Sequence, residues 1–371
     1  MPHAPYVRIA RAAGTGDAQG LVAAFAELNA PAEAIIDTLG RHTLIRQVLL
    51  CLPEVEVRRT LAPDLARLLE QWRARRWLEP RHYVRGFEQA RHALSAEGVP
   101  VLMLKGLYFA HRLYGGLDRR AQHDIDLLVP RRDFRRAGRA LVRAGFRAHA
   151  YDLHSRTYDR DDLKVDLHHC LRRAPAYQVD DRALWTSTIE VTAGPLRFQT
   201  LSDEWTIVSL LLAAFEDLGQ GTARLKQLLD LFLLLREVDE DIEWDVFFTN
   251  CANGRMAEIC VNVMSVVTAL FDAEATWPQL SEALARRAHM VAGMSHDRAL
   301  SLVFAPRKHA ANLIWFGRIY PGSMALYLAW FWYGGFPENL SRLTWNQLRS
   351  SIQLAGGRPV QGADPVSRAG L

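Results

Sequence analysis

Asp124 and Asp126 are separated by one residue, in a segment from His123 to Pro130 that reads HDIDLLVP. The start of this segment alternates polar and apolar residues, which predicts a strand. Because side chains along a strand alternate between its two faces, both carboxylates are expected on the same face. Neighbouring carboxylates repel each other unless a cation lies between them, and such oxygen ligands suit Mg²⁺ or Mn²⁺. On the pair alone, two solvated aspartates at a strand end, or Asp124 capping a turn, are open alternatives.

A second alternating segment, Lys164–His168 (KVDLH), predicts another strand and contains Asp166. If this strand lies beside the first, Asp166 completes a set of three carboxylates. Ahead of the pair, the apolar run VLMLK ends in Lys105 and Gly106, and a helical pattern follows. A glycine at a strand-to-helix turn lets backbone N–H groups approach a phosphate. Lys105 is one of only four lysines, and burying its ammonium unpaired is costly, which predicts either bound phosphates or a carboxylate beside it.

Arginines in the loop before the pair, Arg119 and Arg120, are weaker candidates: they either bind phosphates or are solvated. His123 would point away from the pair in a regular strand. The run His168-His169-Cys170 contains metal-ligating types, but consecutive strand residues face opposite ways, so at most two share a face. We expect His168 to support Asp166 instead.

The segments around these residues predict an α/β unit between two helical regions. Strand and helix signals alternate from 98 to about 170, whereas the stretches before and after it show helical spacing, most strongly at 203–218 and 223–237. An aromatic cluster at 315–333 predicts core packing between helices or, alternatively, a hydrophobic groove. The predicted organisation is a flexible tail at 1–17, an N-terminal helical region at 18–97, the α/β core at 98–180, a C-terminal helical region at 181–354 and a flexible tail at 355–371.

Composition sets limits on the class of protein. The 371 residues are 49% hydrophobic and 23% charged, with a net charge of +4, which excludes fibrous and wholly disordered proteins and is too mild to indicate nucleic-acid binding by itself. Four dispersed cysteines without a CxxC pair argue against a disulfide framework and favour a reducing, cytoplasmic location. The N-terminus lacks a signal-peptide pattern. The most apolar late stretch, 324–336, is shorter than the roughly 20 residues of a membrane span, so we predict no transmembrane segment.

The run LKG-x7-YG, followed by HDIDLLV, a helix and VDLH, resembles the bacterial uncharacterised nucleotidyltransferases, a branch of the polymerase-beta-like nucleotidyltransferase superfamily. The resemblance covers about 98–170 and extends weakly to the apolar helices around 205–237, where Asp230-Leu231 matches an Asp-Leu pair that is frequent in the family. It implies an α+β fold in which a small mixed-sheet nucleotidyltransferase unit is flanked by N- and C-terminal helical regions.

The resemblance also implies roles for individual residues. Asp124 and Asp126 match the metal-binding carboxylate pair, and Asp166 matches the third carboxylate. Lys105-Gly106 occupies the place of the superfamily's phosphate-binding turn, although Leu107 stands where that turn has a serine. In these roles the carboxylates would hold Mg²⁺ or Mn²⁺, and Asp166 would hold a second ion or take the acceptor's proton.

The function predicted from these features is transfer of a nucleotidyl group from an NTP to an acceptor, which the sequence leaves open among a peptide, a small molecule and an RNA. The alternatives are phosphoryl transfer at the same site and a non-catalytic nucleotide-binding or nucleic-acid-binding module. Ten arginines between 112 and 147, against four aspartates, allow the nucleic-acid alternative. The intact set of three carboxylates argues against a non-catalytic module.

Overall fold

The computed structural model describes residues 2–74, 80–151, 154–171, 178–254, 256–291, 293–306 and 309–319. Within these ranges, helices precede, interrupt and follow a seven-stranded mixed sheet. The predicted α+β class, with a mixed-sheet unit flanked by helices on both sides in sequence, is therefore confirmed. The predicted C-terminal tail at 355–371 lies outside the described residues.

The described residues before 97 are mainly helical, as predicted for 18–97. Its helices are short and amphipathic, with one buried face each. They are α1 (Ala4–Thr15), α2 (Ala18–Ala26), α3 (Ala32–Arg41), α4 (Ile45–Cys51), α5 (Glu54–Thr60), α6 (Pro63–Arg73) and α7 (Pro80–Ala96).

The prediction of a loose tail at 1–17 is wrong, because α1 occupies most of it. Ile9 and Ala10 are fully buried, and Gly16 ends the helix with a left-handed φ of 74°. The small residues that suggested a loop instead permit close packing: a Cβ on Gly14 would lie 2.6 Å from Leu229 Cδ2. Alanine and glycine can be buried without producing a strong apolar period, which is why the pattern missed this helix.

The sheet and its connections occupy the middle of the chain. The strands are arranged in the order β3-β4-β5-β2-β1-β7-β6, and the pairs β2/β5 and β1/β7 are parallel. The elements are β1 (Leu102–Met103), α8 (Leu107–Tyr114), β2 (Ile125–Leu128), α9 (Phe134–Arg143), β3 (Arg147–Tyr151), β4 (Ser155–Arg160), β5 (Leu163–His168), α10 (Asp181–Thr186), β6 (Thr188–Ala193) and β7 (Leu196–Leu201).

The region predicted to be helical from 181 contains, in contrast, two strands after the short helix α10. β6 and β7 form an antiparallel hairpin that turns at Gly194, where φ is 59°. β7 pairs with β1, so the hairpin extends the sheet beyond the unit predicted to end at 180. Without it, β1 would be an open edge, and this long-range pairing is not visible in the local sequence pattern.

The two faces of β2 and β5 have different environments. Ile125, Leu127 and Val165 are buried on the face that contacts α7 and α9. Helix α7 approaches this face closely, because a Cβ on Gly86 would lie 1.8 Å from Leu163 Cδ2. Residues of the opposite register, which include the aspartates, therefore lie on the other face of the sheet.

The C-terminal part of the described chain is helical. The predicted helices at 203–218 and 223–237 are confirmed as α11 (Asp203–Gln220) and α12 (Leu225–Val238). Both pack against α14 (Ala257–Phe271), and α1 packs against α12 and α14. In none of the described helices are length and apolar character together sufficient to cross a bilayer. The helices are α11 (Asp203–Gln220), α12 (Leu225–Val238), α13 (Trp244–Asn253), α14 (Ala257–Phe271), α15 (Pro278–Ala285), α16 (His296–Phe304) and α17 (Ala310–Ile319).

Trp315 is the member of the predicted aromatic cluster whose side chain the structure describes. It is fully buried and packs against Phe215, with ring centroids 5.6 Å apart. Core packing between helices is therefore the correct interpretation for this residue. The cluster members from 327 to 333 lie outside the described residues.

Candidate active site

The three predicted carboxylates converge. Asp126 lies in β2 and Asp166 is its direct neighbour in the parallel strand β5, whereas Asp124 immediately precedes β2. One carboxylate oxygen from each residue lies within 4.8 Å of the others. The structure thus brings Asp124, Asp126 and Asp166 together in the way that ligands of a shared cation require, and their role as metal ligands remains a prediction.

Lys105 contacts this cluster directly. Its Nζ lies 3.1 Å from Asp126 Oδ1, and its side chain is 42% exposed whereas that of Asp126 is 2% exposed. Burial by itself would lower the pKa of Lys105, but the charges of Asp126 and Asp124 outweigh it and raise that pKa above its usual value. Lys105 therefore remains charged at neutral pH and faces both the carboxylates and the open cleft.

Polar side chains hold two of the three carboxylates. His168 Nε2 lies 3.1 Å from Asp126 Oδ1, and Thr157 Oγ1 donates a hydrogen bond of 2.5 Å to Asp166 Oδ1. The expectation that His168 supports Asp166 is therefore wrong. His168 pairs with Leu128, so its side chain is on the same face as Asp126, one diagonal position away.

His169 faces the other way and packs against Phe134, with ring centroids 4.7 Å apart. The consecutive residues His168 and His169 thus lie on opposite sides, as strand alternation requires. The three-residue run from His168 to Cys170 does not form a joint metal site in this arrangement.

The carboxylates of Asp124 and Asp126 have pKa values shifted in opposite directions. Burial raises the pKa of Asp124, and the adjacent charge of Asp126 raises it further. Burial alone would also raise the pKa of Asp126, but Lys105 and the hydrogen bond with His168 lower it well below its usual range. Such a divergence is typical of crowded functional sites, where a bound cation can stabilise both charges.

Asp126 also provides a direct test of whether a cation fits. Its Oδ2 is buried and has no hydrogen-bond partner among the described residues, although its Oδ1 has two. A buried carboxylate oxygen without a partner is costly. A divalent ion held by Asp124, Asp126 and Asp166 would supply the missing interaction, so these residues fit the metal that the sequence predicts.

Gly106 forms the turn between β1 and α8 and lies beside the aspartates. Its φ of 74° and ψ of −113° form a conformation that only glycine adopts readily. A Cβ there would lie 3.6 Å from the backbone oxygen of Asp124. The turn therefore places the N-terminus of α8 close to the carboxylates, as required for the predicted phosphate-binding role, which stays a prediction.

The two arginines of the preceding loop behave differently. Arg119 is exposed and does not line the cleft, so the structure does not bring it to the site. Arg120 is buried and donates two hydrogen bonds to Asp230, of 3.0 Å from Nε and 2.6 Å from Nη2. Tyr114 donates a further hydrogen bond of 2.8 Å to Asp230 Oδ1. Arg120 lines the cleft, but its guanidinium is committed to Asp230 and is not a free phosphate ligand.

Asp124 and Asp126 open onto a cleft of about 330 Å³, within the size range of small-molecule sites. Lys105, Asp124 and Asp126 line its sheet side, and Ser209, Arg224 and Lys226 line the side formed by α11 and the start of α12. The sequence predicted none of the residues on the second side.

Lys226 is the main feature of that second side. It is 8% exposed, and its Nζ lies 4.0 Å from Asp230 Oδ2. Burial, with the nearby positive charge of Arg120, lowers the pKa of Lys226 to about 7, although Asp230 and Asp124 oppose this shift. A rare lysine within an otherwise apolar helix was the available sequence signal, because a charge at a buried position requires a partner.

His123 also lines the cleft, contrary to the expectation that it points away. β2 begins only at Ile125, so strand alternation does not apply to this residue. Burial, followed by the charges of Lys226 and Arg120, lowers the pKa of His123 to about 4, so its imidazole is neutral at neutral pH.

The cleft is lined by two of the three convergent carboxylates and by two lysines. Asp166 and the turn at Gly106 lie next to those carboxylates. Such a site can hold a divalent cation and bind an anionic ligand beside it. Comparison with known proteins agrees with this arrangement: the family model described as "Uncharacterised nucleotidyltransferase" matches residues 29–272, a range that includes every cleft residue named above. No curated protein and no solved structure matches the chain. The chain belongs to the uncharacterised nucleotidyltransferase family.

Proposed function

We propose that the protein is a metal-dependent enzyme that transfers a nucleotidyl group from an NTP to a hydroxyl or amine of an acceptor. The observation that carries this proposal is the convergence of Asp124, Asp126 and Asp166, with Oδ2 of Asp126 buried and without a partner among the described residues. The membership of the chain in a nucleotidyltransferase family supports the class of reaction.

Bound Mg²⁺ or Mn²⁺ would neutralise phosphate charge and make the α-phosphorus more electrophilic. Asp124 and Asp126 would hold the ion together with Asp166, because one carboxylate oxygen of each lies within 4.8 Å of the others. Asp166 is partly exposed and oriented by Thr157, and we assign it to accept the proton of the acceptor. The acceptor oxygen or nitrogen forms a bond to the α-phosphorus while the bond from this phosphorus to pyrophosphate breaks.

Positive side chains from both sides of the cleft would bind the phosphates. Lys105 is close enough to Asp126 to move from that carboxylate to a phosphate oxygen when a metal ion takes its place. Lys226 and Arg224 face the same space from α12. The N-terminus of α8, which Gly106 brings next to Asp124, adds backbone N–H groups that favour negative charge.

Labelled nucleotides test the proposal. The protein is incubated with Mg²⁺ or Mn²⁺, cell extract and each NTP labelled with ³²P at either the α or the γ position. Transfer of the α label to an acceptor, lost in Asp124→Asn, is the expected result. Transfer of the γ label would show phosphoryl transfer instead, and no transfer of either label under any condition would contradict an enzymatic role.

The acceptor is proposed by class only: a peptide, a small molecule or an RNA. Treating the extract with protease, with ribonuclease or by size filtration before the assay separates these classes. All four cysteines are free, which supports our proposal that the protein works in a reducing compartment such as the cytoplasm.

A further inference from the structure

The loop that carries the chain into the carboxylate pair is buried but irregular. Residues 115–124 connect α8 to β2 and form neither helix nor strand, yet Arg120, Ala121 and Gln122 are at most 5% exposed. Buried backbone N–H and C=O groups are costly unless they are hydrogen-bonded. The loop makes some of those bonds within itself, such as the one from the N–H of Arg119 to the oxygen of Gly116, and side chains of other elements supply others.

Gln47 of α4 supplies two of them. Its Nε2 donates to the backbone oxygen of Arg119 at 2.9 Å, and its Oε1 accepts from the N–H of Ala121 at 3.2 Å. Nε2 also lies 3.3 Å from the backbone oxygen of Ala13, in α1. Only a side-chain amide offers a donor and an acceptor in this arrangement. Gln47 thus contacts the loop as a neighbouring strand would.

Tyr83 of α7 binds the next residue of the loop, Gln122. Its hydroxyl donates a hydrogen bond of 2.8 Å to the backbone oxygen of Gln122, and the whole residue is only 3% exposed. On the other side of the loop, the side chain of Arg120 is bound by Asp230 of α12. Side chains from the N-terminal and C-terminal helices therefore bind four successive loop residues, 119 to 122.

Those loop residues lead directly to the site. Asp124 is two residues after Gln122, and Gly106 approaches both the backbone oxygen of Asp124 and the side chain of Gln122, to 3.6 and 3.7 Å from where its Cβ would be. A shift of the loop would therefore displace Asp124 relative to Asp126 and Asp166, which β2 and β5 hold independently. Metal affinity depends steeply on such ligand placement.

We propose that Gln47 and Tyr83 are positioning residues: through the backbone of residues 119–122 they set the position of Asp124 and hence the metal affinity of the site. This inference rests on the proposed function, because it assumes that Asp124 is a metal ligand. It assigns the N-terminal helices, which contribute no carboxylate to the cluster, a direct part in the active site.

Binding of Mn²⁺ in the absence of nucleotide, followed by electron paramagnetic resonance, tests this without relying on activity. Gln47→Met removes the two hydrogen bonds to the loop, and a third to Ala13, at nearly constant size and charge, and Tyr83→Phe removes one hydroxyl. We expect Mn²⁺ affinity to fall about tenfold in Gln47→Met and about threefold in Tyr83→Phe. Tyr83→Phe provides the measurement if Gln47→Met does not fold.

Asn262 provides a matched control. It is 1% exposed, and its amide donates to two backbone oxygens, those of Glu258 and Met290, without lining the cleft. Asn262→Leu should lower the melting temperature by an amount similar to Gln47→Met but leave Mn²⁺ affinity within about twofold of wild type. In transfer assays, the deficit of Gln47→Met and Tyr83→Phe should decrease as Mn²⁺ is raised, whereas that of Asn262→Leu should not change.

Two results would overturn the inference alone: wild-type Mn²⁺ affinity in folded Tyr83→Phe and Gln47→Met, or an equal loss of affinity in Asn262→Leu. Absence of Mn²⁺ binding in the wild-type protein would overturn the proposed metal site and this inference with it. Because wild-type binding and transfer are measured in the same series, the two kinds of failure are distinguishable.

Discussion

Asp126 and Asp230 are both almost fully buried and both line the same cleft, yet their surroundings differ. Both oxygens of Asp230 are hydrogen-bonded, to the guanidinium of Arg120 and the hydroxyl of Tyr114, and Lys226 lies nearby. Asp126 shares its surroundings with two further carboxylates, and one of its oxygens has no hydrogen-bond partner in the described part of the chain.

This difference in hydrogen bonding indicates different roles for Asp126 and Asp230, although the two side chains are chemically identical. A carboxylate whose hydrogen-bonding capacity is satisfied by the protein stabilises one arrangement of the chain. A carboxylate with an unpaired oxygen beside like charges is stable only if something else supplies the missing interaction. Asp230 is therefore a structural anchor for the helical side of the cleft, whereas we propose that Asp126 is the carboxylate that binds a ligand.

The largest expected effect concerns the anchor. Asp230→Ala leaves the buried guanidinium of Arg120 unpaired, and we expect it to reduce the free energy of unfolding by about 3–5 kcal/mol in denaturant titrations. Mg²⁺ should not restore the loss. Asp245→Ala, which breaks the ion pairs of an exposed aspartate with Arg286 and Arg287, is the control and should leave the free energy of unfolding close to the wild-type value. Restoration by Mg²⁺ would show that Asp230 belongs to the metal site instead.

The opposite pattern is expected for the metal site. Asp124→Asn should reduce transfer activity by about 10²-fold or more, because a ligand of the catalytic ion is lost. It should also abolish the rise in melting temperature caused by Mg²⁺ or Mn²⁺ in the wild type. The metal-free variant should melt at or slightly above the wild-type temperature, because a like charge is removed from a crowded site.

Asp118→Asn is the control for that measurement, because Asp118 is an exposed aspartate of the same loop. It should leave both activity and the metal response unchanged. An unchanged metal response in Asp124→Asn would mean that the ion binds elsewhere.

Replacing Lys105 is expected to affect both stability and ligand binding, because this lysine neutralises Asp126 and also faces the open cleft. Lys105→Ala should weaken NTP binding severalfold, since a cation beside the phosphates is lost. It should also reduce the stability of the metal-free protein by about 1 kcal/mol, a small value because the lysine is partly exposed. Mg²⁺ should restore much of that stability, because the ion takes over the neutralisation of Asp126.

Isothermal titration with NTP and thermal melting with and without Mg²⁺ distinguish these effects. Lys164→Ala, at an exposed position of β5, should change neither quantity. If Lys105→Ala changes only the stability, the lysine is a counter-charge and not a phosphate ligand.

The last expected effect is a gradual one, a dependence of stability on pH. Folding lowers the pKa of Lys226 from its usual value near 10.5 to about 7, chiefly by burial. Between these values the unfolded chain binds the proton and the folded protein does not, so this group makes stability increase as pH rises from 7 towards 10.5. The slope should be on the order of 1 kcal/mol per pH unit.

Denaturant titrations at pH 7, 8 and 9 check this. The slope that Lys226 contributes should be missing in Lys226→Met, which keeps most of the aliphatic chain but cannot be charged. Equal slopes in the wild type and the variant would show that Lys226 keeps an ordinary pKa, and hence that Asp230 and Asp124 compensate fully for its burial.

Local sequence patterns predicted the arrangement of the candidate site. Alternation in HDIDLLV and KVDLH correctly indicated two strands, in which Asp126 and Asp166 lie side by side on one face, because side-chain direction in a strand depends only on the period of two. Asp124 immediately precedes β2 and converges with them. The apolar run before Lys105-Gly106 correctly indicated a strand and a turn into a helix, since that conformation at Gly106 is open to few residues other than glycine. The family resemblance rested on the same residues.

Features that depend on contacts between distant parts of the chain could be known only from the tertiary structure. The loop at 119–122 is contacted by side chains that are distant in sequence. Gln47 precedes Arg119 by 72 residues and Tyr83 precedes Gln122 by 39 residues, whereas Asp230 follows Arg120 by 110 residues. The sequence around an individual glutamine or tyrosine does not show whether its side chain is buried against a loop or lies on the surface. The pairing of β7 with β1 and the burial of α1 were hidden for the same reason. Residue types and their spacing determine which functional groups a short segment presents, whereas tertiary packing determines which distant residues those groups contact.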